Sequence, residues 1–565
     1  MKKILILGAG TGGTLVANLL AGKLDLKEWS ITVIDKSAEH VYQPGLIFIP
    51  FKLYEYEGKK DVVKPITDPL SKKVDFVQGE IVSIDHDHKK VETNQGVFEY
   101  DWLVCSMGCH IAPDEVDGLE EAMGNDVHTF YTLEGALAFQ KAIKNMKEGK
   151  LVLNVAEMPI KCPVAPIEFV FLADYYFRMQ GVRDQVEISF VTPLEGVFTK
   201  PIASRILGEI AAEKQIEVVP KFSIESVDQE KKTIHSYENA TLDYDLLCTI
   251  PPNLGPDVVA DSDIGDATGY IHTDQRTLKS KKAEQVFVIG DNTNVPTSKA
   301  GSVVHFQAET VVENIIREIN GQKALPSFDG HSNCFIESGF EKAVLIDFNY
   351  DMEPLPGTFP MPVIGPFSLL KETHLNHVGK IAFKWFYWNM LLHGRLPDTP
   401  FVPTHMSFVG KDVAEAPPIQ RAQSRIIGEL MSKEVVVVKE GTPVVEAAKL
   451  LVKHRVSGLP VVDVDNKLIG IITEADFLSG MDLQSESTLK PIFDLIVHQK
   501  RSKKRMGTIV EDLMTPKPIT LREEDSLSKA IETMNRNKIK RVVITDEQNF
   551  VKGIVSRADL IKIFF

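Results

Sequence analysis

The chain has 565 residues, 44% of them hydrophobic and 25% charged, which is an ordinary globular composition and long enough for three or four domains. Its formal net charge of −15 argues against nucleic acid as the main partner, because phosphate binding needs a basic surface. An odd, sparse set of cysteines is not a secreted disulfide framework; they are Cys105, Cys109, Cys162, Cys248 and Cys334. The chain contains no apolar run of 18 or more residues, so we expect no membrane-spanning helix.

The first residues form a nucleotide-binding pattern. "KKILILGAGTGGTLVANLL" predicts a strand, a glycine turn and a helix, and the leading "MKKILILGAG" is interpreted as this strand rather than a signal peptide. Gly8 makes the tight turn, Gly10 lets the backbone approach a pyrophosphate, and Gly13 lets the helix pack on the strand. "WSITVIDKS" supplies a second strand that ends in Asp35, placed to bind a ribose. The pattern predicts a dinucleotide site.

A second motif identifies the dinucleotide as FAD. "QVFVIGDNTNVPTSKAGSVVHFQAE" reads as a strand, the pair Gly290 and Asp291, and a helix. Flavoproteins with two dinucleotide domains use such a motif to place an acid on the flavin ribityl chain, and the helix N-terminus would stabilise a reduced flavin. Lys299 could add positive charge at the flavin, or it could be a solvated loop lysine.

The middle of the chain lacks a nicotinamide site. After the predicted strand "GKLVLNV", the turn "NVAEMPI" has no glycine, so side chains and prolines would obstruct the phosphates of NAD(P)H. Electrons must therefore reach the flavin another way. Cys162, in "PIKCPVAPIEF", is a candidate carrier because a thiolate is a soft nucleophile that can attack sulfur or a flavin carbon.

The partner of Cys162 is expected to be Cys334, in the polar stretch "DGHSNCFIESGF". Two unrelated core thiols remain the alternative for this pair. Cys105 and Cys109 lie in "YDWLVCSMGCH", a predicted buried strand and its turn, and Cys248 lies in the strand "YDLLCTI". These three are interpreted as structural.

The segment "GKIAFKWFYWNMLLHG" is too short to span a bilayer and unusually aromatic. Phe383, Trp385, Phe386 and Trp388 are predicted to contact a membrane surface and to lie near a quinone, with Lys384 reaching the interface. Burying each large apolar side chain contributes about 1.5–3 kcal/mol. A core or dimer-contact helix is the alternative.

Residues 425 to 565 contain a tandem repeat with a constant offset of 83. The matched positions are Met431 and Met514, Ala447 and Ala530, Gly470 and Gly553, Thr473 and Ser556, and Asp476 and Asp559. The two copies resemble a cystathionine-β-synthase-type (CBS) domain pair. That resemblance implies adenosine-nucleotide binding, such as AMP, ADP, ATP or S-adenosylmethionine, with Thr473, Asp476, Ser556 and Asp559 at ribose-contact positions. The basic run "HQKRSKKR" between the copies is interpreted as a solvated linker or a contact to phosphates or anionic lipid.

The first 410 residues resemble the sulfide:quinone oxidoreductase family, most of all its mitochondrial-type branch. The resemblance rests on "KCPVAPIEF", "NTNVPTSK", "DGHSNC", "DFNYDMEPLPG" and "FKWFYWNMLLHG", which occur in the family's order. It implies FAD, a redox pair of Cys162 and Cys334 with the persulfide on Cys334, and a quinone pocket near the membrane. Glu168 falls where the family carries an active-site acid and could move protons; a helix-terminus carboxylate is the alternative.

The resulting prediction is an α/β chain with two Rossmann-like domains, a membrane-associating segment and a tandem CBS pair. The predicted boundaries are 1–115 with 266–325 for FAD, 116–265 for the second Rossmann-like domain, 326–410 for the redox-cysteine and quinone segment, and 411–565 for the CBS pair. We expect a peripheral membrane enzyme on the cytoplasmic face, homodimeric, without metal or nucleic acid, that uses sulfide, a sulfur acceptor and membrane quinone. The alternatives are a flavocytochrome c-type sulfide dehydrogenase, a redox or nucleotide sensor, and a CBS pair that only dimerises the enzyme.

Overall fold

The structure is a computed structural model. It describes residues 1–359, 365–394, 411–412, 427–429, 431–454, 456, 458–473, 476–477, 509–537 and 539–556. The chain divides into two compact units, Met1–Glu415 and Ala416–Phe565. Within the described part of the chain, no helix combines the length and the apolar character needed to cross a bilayer.

The first unit begins with a strand, helix and strand in which apolar runs such as "KKILIL" favour buried parallel strands. The elements are β1 (Lys2–Leu7), α1 (Thr11–Lys23), β2 (Trp29–Asp35), β3 (Glu39–Val41), β4 (Val63–Pro65), β5 (Asp75–Gln78), β6 (Ile81–Asp85), β7 (Lys90–Thr93), β8 (Gly96–Glu99) and β9 (Trp102–Cys105). Strands β6 to β8 form an antiparallel sheet of their own.

A second α/β segment follows. Its elements are β10 (His110–Ile111), α2 (Leu119–Ala122), β11 (Val127–His128), α3 (Leu133–Asn145), β12 (Gly149–Val155), α4 (Ala165–Met179), β13 (Val186–Val191), α5 (Pro201–Glu213), β14 (Ile216–Val219), β15 (Ile224–Asp228), β16 (Thr233–Ser236), β17 (Thr241–Asp243), β18 (Leu246–Ile250), β19 (Asn253–Leu254) and α6 (Asp257–Ala260). Five of the strands form a parallel sheet in the order β11-β18-β12-β13-β14. This is the second Rossmann-like layer that the sequence predicts.

The chain then returns to the first sheet. Strand β20 (Val286–Val288) pairs with β9, which gives a parallel sheet in the order β20-β9-β1-β2-β5. Helix α7 (Gly301–Ile319) packs against α1. The carboxyl ends of β1, β2 and β20 therefore meet at one edge of the sheet, where open α/β sheets bind their ligands.

A four-stranded sheet completes the first unit. It contains β21 (Ser332–Gly339), β22 (Lys342–Phe348), β23 (Gly357–Phe359) and β24 (Phe367–Leu369), in the order β21-β22-β24-β23. Helix α8 (His374–Phe386) packs on β21 and β22, begins at the side-chain cap of Thr373, and continues into a π-helical turn at Tyr387–Leu391. One hydrophobic core cluster extends from β1 through α4 to Tyr387 and Trp388.

The second unit contains the two sequence repeats. The elements are β25 (Val438–Lys439), α9 (Val444–His454), β26 (Gly458–Val462), β27 (Leu468–Thr473), β28 (Thr515–Pro516), β29 (Thr520–Leu521), α10 (Leu527–Arg536), β30 (Arg541–Thr545) and β31 (Val551–Ser556). The bounds of β26 and β30, and of β27 and β31, differ by the repeat offset of the sequence. Each copy packs a residue on the other, since a methyl group on Gly553 would overlap Met431, and one on Gly470 would overlap Met514. The pair is thus a pseudo-symmetric unit.

Candidate active site

The glycine turn between β1 and α1 has the geometry that a dinucleotide requires. Gly8 has a φ of +95° and donates its N–H to Ile34 O at 2.8 Å. A side chain on Gly13 would collide with the Gly8 carbonyl, so only glycine lets α1 approach the strand. Nothing lies within 4 Å of the position that a Cβ on Gly10 would occupy. The turn therefore leaves open space where its backbone faces a ligand.

Asp35, at the end of β2, fixes this turn. Its carboxylate accepts the N–H of Ala9 at 2.7 Å and that of Ser37 at 2.8 Å. A carboxylate has about four acceptor positions, so the remaining ones are available to ribose hydroxyls. The structure thus brings Asp35 to the turn, as the sequence predicts.

The Gly290–Asp291 motif lies at the end of β20, and Lys299 folds back over it. The Lys299 ammonium donates to the carbonyls of Asp291 and Thr293, both at 2.6 Å, and lies 4.5 Å from the centre of the Tyr270 ring. Lys299 is only 7% exposed, so the alternative of a solvated lysine is wrong. Burial raises the pKa of Asp291 against the effect of Lys299, and burial lowers the pKa of Lys299 against the effect of Asp291.

Cys162 lies in the glycine-free turn between β12 and α4, and its backbone is tied to the flavin half of the unit. Its N–H donates to Lys299 O at 2.5 Å, and its carbonyl accepts the Tyr131 hydroxyl at 3.2 Å. Its φ of +49° is rare for a residue with a side chain. Such strain is retained where the surroundings impose it, which is common at functional sites.

Cys334 approaches from β21, opposite Ile346 of β22. The Ser302 hydroxyl, at the start of α7, lies 3.6 Å from its Sγ and donates to Asn333 O at 2.6 Å. Burial raises the pKa of the Cys162 thiol to about 12, and the charge of Cys334 adds to this increase. Burial also raises the pKa of Cys334, whereas Ser302 and Lys380 oppose the increase. The two predicted redox cysteines therefore lie close enough for Lys380 and Glu168 to affect the pKa of both thiols.

Glu168 and Lys380 form a buried ion pair beside these cysteines. Glu168, in the first turn of α4, is 1% exposed, and its Oε1 lies 2.7 Å from the Lys380 ammonium on α8. Lys380 also donates to Phe335 O at 2.9 Å. Burial raises the pKa of Glu168 although Lys380 opposes it. Burial lowers the pKa of Lys380, but the charge and hydrogen bond of Glu168 and the charges of Cys162 and Glu337 together raise it above its ordinary value.

Sequence reasoning missed several groups around this pair. Lys380 lies within the aromatic segment, whose pattern indicates no acid–base role for it. Glu337 of β21 is fully buried and accepts hydrogen bonds from His377 of α8 at 2.9 Å and from Tyr54 at 3.0 Å. The spacing of His374, His377 and Lys380 at every third position was the available signal, because residues three apart are neighbours on a helix.

The remaining cysteines differ from each other. Cys105 and Cys248 are fully buried in β9 and β18, which agrees with their structural interpretation. Cys109 is half-buried, with its Sγ 3.8 Å from Asn253 Oδ1. Burial raises its pKa to about 12, and the charge of Asp291 in the predicted flavin motif adds to this increase.

The aromatic segment has two faces. Trp385 is 63% exposed, while Phe383 and Phe386 are half-buried. Trp388 is only 6% exposed and packs against His40 and the Lys64 ammonium. The prediction that Trp388 contacts a membrane surface is therefore wrong, because the π-helical turn directs it into the core.

The neighbouring Tyr387 is buried with it. Its hydroxyl lies 2.6 Å from His40 Nε2 and 2.7 Å from the Thr11 hydroxyl, at the first residue of α1. The end of the aromatic segment is thus connected to the dinucleotide turn.

In the second unit, Thr473 ends β27, and both its N–H and its hydroxyl donate to Asp476 at 2.7 Å. Ser556 is the matching last residue of β31 and pairs with Arg541 of β30. Asp559 and the basic run at 498–505 lie outside the described residues. Within the described part of the chain, no three His, Cys, Asp or Glu side chains are grouped as metal ligands.

The residues present fit FAD. The open space at Gly10, the Asp35 carboxylate and the Asp291 motif lie at the carboxyl ends of strands of one sheet. The buried Asn292 amide, beside Asp291, has no hydrogen-bond partner among the described residues, and such a group costs about 1–3 kcal/mol unless it is satisfied. With two Rossmann-like sheets and two partly buried cysteines whose charges affect each other, these features define an FAD-dependent oxidoreductase of the disulfide-reductase type.

Comparison with known proteins supports this class and the tandem CBS pair. The family model "Pyridine nucleotide-disulphide oxidoreductase" matches residues 2–153, and the model "CBS domain" matches 427–482 and 510–565. A mitochondrial sulfide:quinone oxidoreductase of Dictyostelium discoideum is 30% identical over 404 residues, covering 70% of this chain and 87% of that protein. That of Mus musculus is 27% identical over 404 residues, covering 69% and 86%.

A solved structure shares the fold. The crystal structure of the sulfide:quinone oxidoreductase from Aquifex aeolicus superposes with a TM-score of 0.58 at 21% identity, over 70% of this chain and 93% of that chain. By its identity to the Dictyostelium protein, the chain belongs to the sulfide:quinone oxidoreductase family. It differs from a single-unit enzyme in carrying two CBS domains at its C-terminal end.

Proposed function

We propose that the chain oxidises sulfide through Cys162 and Cys334 to FAD and then to a membrane quinone. The proposal rests on the turn after β12, where two-dinucleotide flavoproteins would bind a nicotinamide cofactor and where this chain carries Cys162. There the Cys162 backbone N–H is hydrogen-bonded to the carbonyl of Lys299, next to the predicted flavin motif. Cys334, on β21, is close enough for its charge to raise the pKa of Cys162. A thiol thus stands where a nicotinamide would dock.

The sulfur chemistry follows from the pair. In the oxidised enzyme the two cysteines are joined directly or through extra sulfur. Hydrosulfide attacks this bridge, one sulfur–sulfur bond breaks, and a new one forms, which leaves a persulfide on one cysteine and a thiolate on the other. By family resemblance Cys334 carries the persulfide, and Cys162 is the thiolate that faces the flavin.

FAD, when bound, accepts the electron pair of the cysteines and passes it to quinone. The residues that would hold it are Gly8, Gly10 and Gly13 at the pyrophosphate, Asp35 at the ribose and Asp291 at the ribityl chain. The Lys299 ammonium, held inside the same motif, favours negative charge on the bound ring. Glu168 and Lys380 are placed to hold or deliver a proton beside the cysteines.

We infer a peripheral membrane enzyme from the outer face of α8. Leu375, Val378 and Trp385 are 44%, 46% and 63% exposed, and they follow one another at helical spacing. Exposed apolar and aromatic side chains of this kind suit the interface of a bilayer. A quinone would then reach the site from the lipid. The cytoplasmic face and a homodimer remain our expectations for its location and assembly.

We further propose that the CBS pair binds an adenine nucleotide and alters turnover. The support is the Thr473–Asp476 arrangement at the end of β27, repeated in sequence at Ser556 and Asp559. A regulatory effect requires that the nucleotide bind two states of the protein unequally, with about 1–3 kcal/mol of difference being typical.

The deciding experiment is an anaerobic titration of the purified holoenzyme with sulfide, followed by a short-chain quinone in detergent. Bleaching of the flavin absorbance by sulfide and its return on adding quinone would support the proposal. Bleaching that a quinone does not reverse, but a cytochrome does, would favour a flavocytochrome-type dehydrogenase. Failure of sulfide to bleach the flavin would refute the proposed donor.

A further inference from the structure

Oxidation of hydrosulfide by quinone requires one proton from solvent. The net reaction is HS⁻ + quinone + H⁺ → S⁰ + quinol, in which sulfur loses two electrons and the quinone gains them. Hydrosulfide supplies one of the two quinol protons, and the second must come from water. Beside the cysteines, the Glu168 side chain is 2% exposed and that of Lys380 is 14% exposed, so this proton needs a path to the pair.

A row of protonatable side chains on α8 leads from the surface to this pair. The His374 side chain is 67% exposed, and its ring lies 5.8 Å from that of His377. His377 is 8% exposed, and Lys380 follows it by three residues. Since residues three apart are adjacent on a helix, the row forms one stripe.

Glu337 connects this stripe to the redox pair. The His377 Nδ1–H donates to both of its carboxylate oxygens at 2.9 Å, and the Tyr54 hydroxyl donates to Oε1 at 3.0 Å. Lys380 contacts the same strand, because its ammonium donates at 2.9 Å to the carbonyl of Phe335, two residues before Glu337. The charge of Glu337 contributes to the raised pKa of Lys380. Glu337 lies on β21, three residues after Cys334.

We propose, on the basis of the function proposed above, that Glu337 and His377 conduct the solvent proton from His374 to the Glu168–Lys380 pair. Solvent first protonates the outer Nε2 of His377, with His374 as the entry. The resulting imidazolium gives its Nδ1 proton to Glu337, so that an N–H bond breaks, an O–H bond forms, and His377 is left neutral with its proton on Nε2. Glu337 then passes the proton to the Glu168–Lys380 pair, which delivers it during quinone reduction.

The ionisable groups along the row are compatible with this direction. His377 contacts Glu337 of β21, Tyr54 before β4 and His374 of its own helix. Glu341 acts on Tyr54 and His374, and Glu168 acts on Lys380. The carboxylates attract a proton inward, and the Tyr54 hydroxyl, whose pKa is raised by burial and by Glu337, remains a donor that holds Glu337 in place.

The test uses full-length holoenzyme carrying His377→Gln or Glu337→Gln, which keep the size and hydrogen bonding of each side chain. The matched control is His88→Gln, because His88 also pairs with a carboxylate, Asp85, at 2.8 Å but on an exposed hairpin. Stopped-flow absorbance separates flavin reduction by sulfide from flavin reoxidation by quinone. Added imidazole tests for chemical rescue.

We expect both path variants to keep sulfide-driven reduction within about twofold of wild type and to slow reoxidation by at least about a hundredfold, the lower end of typical effects of proton-transfer groups. Imidazole should restore the reoxidation rate of His377→Gln, and the control should match wild type. Equal slowing of both half-reactions without rescue, or no slowing, would overturn the proposal.

A second measurement does not depend on turnover. Infrared difference spectra of the photoreduced holoenzyme, without sulfide or quinone, report carboxyl protonation. The wild type should show a carboxyl band that forms together with reduction, and in His377→Gln the band should lag behind it. A band that keeps pace in both path variants would refute the path. If wild-type enzyme does not react with sulfide, the proposed function fails, while this spectrum still tests the path.

Discussion

Replacing Lys380 by Met should destabilise the first unit in a pH-dependent way. Methionine keeps the length of the side chain but leaves the Glu168 carboxylate, 1% exposed, without its cation. At 2.7 Å and an effective dielectric constant of about 20, Coulomb's law gives an attraction of about 6 kcal/mol. Desolvation of the two ions offsets much of this, and breaking a buried pair by removing one partner typically costs about 3–5 kcal/mol.

The sign of the pH dependence follows from Glu168. Its pKa is raised by burial even with Lys380 present, and removing the lysine raises it further. A carboxyl group whose pKa is higher in the folded than in the unfolded state stabilises the folded state at acid pH, where it is protonated. This stabilisation is lost as the pH rises through the folded-state pKa. The variant should therefore lose stability as the pH rises above the ordinary glutamate value of 4.5. The double variant Glu168→Gln with Lys380→Met should lack this additional loss.

Thermal unfolding measures the effect. With an unfolding entropy of about 2.1 cal/mol/K per residue, the unit Met1–Glu415 has about 0.9 kcal/mol/K, so a loss of 3–5 kcal/mol lowers Tm by about 3–5 °C. We expect this shift at pH 8 and a smaller one at pH 5. An unchanged Tm at both pH values, or a double variant as unstable as the single one, would show that the pair is not a buried ion pair.

Four further outcomes are expected. Cys162→Ser and Cys334→Ser should each abolish sulfide-driven flavin reduction while FAD stays bound, and normal stopped-flow rates in either variant would contradict the paired mechanism. NADH or NADPH alone should not bleach the flavin, because the turn before Cys162 has no glycine; rapid bleaching would disprove this. Calorimetry should detect binding of AMP, ADP, ATP or S-adenosylmethionine, lost in Asp476→Ala with Asp559→Ala, whereas no binding of any of the four would leave the tail as an assembly module. Trp385→Ala should weaken flotation with quinone-containing vesicles severalfold, and undiminished flotation would place the membrane contact elsewhere.

The parts of the site that the sequence predicts are local. Gly8, Gly13 and Asp35 act within one strand–turn–helix unit and the next strand, so their spacing reports their geometry directly. The repeat at residues 425 to 565 is predicted equally well from the sequence, because the matched positions keep one constant offset even where the surface residues of the two copies differ. The pairing of Cys162 with Cys334 is a different kind of prediction, since the polar stretch around Cys334 suggests it, family resemblance favours it over two unrelated thiols, and no spacing encodes it.

The parts that the sequence did not reveal depend on contacts between distant segments. Glu337 meets His377 at a separation of 40 residues and Tyr54 at 283, and no local pattern encodes such distances. The prediction that Trp388 lies at the surface was wrong because its burial also depends on contacts with distant segments. An aromatic run shows that a helix has apolar contacts, but only packing decides which side chains face the core, and here Tyr387 and Trp388 turn inward to His40.

We expect one structural feature, the turn after β12, both to disfavour a nicotinamide site and to position the Cys162 thiol. A glycine turn after β12 would leave room for phosphates, whereas this turn places Cys162 in a left-handed conformation and bonds it to Lys299. Lys299 in turn is bound to the Asp291 motif by its own side chain. The turn is thus held by the same segment that would hold the flavin, so the positions of cysteine and cofactor are set together rather than by separate parts of the fold.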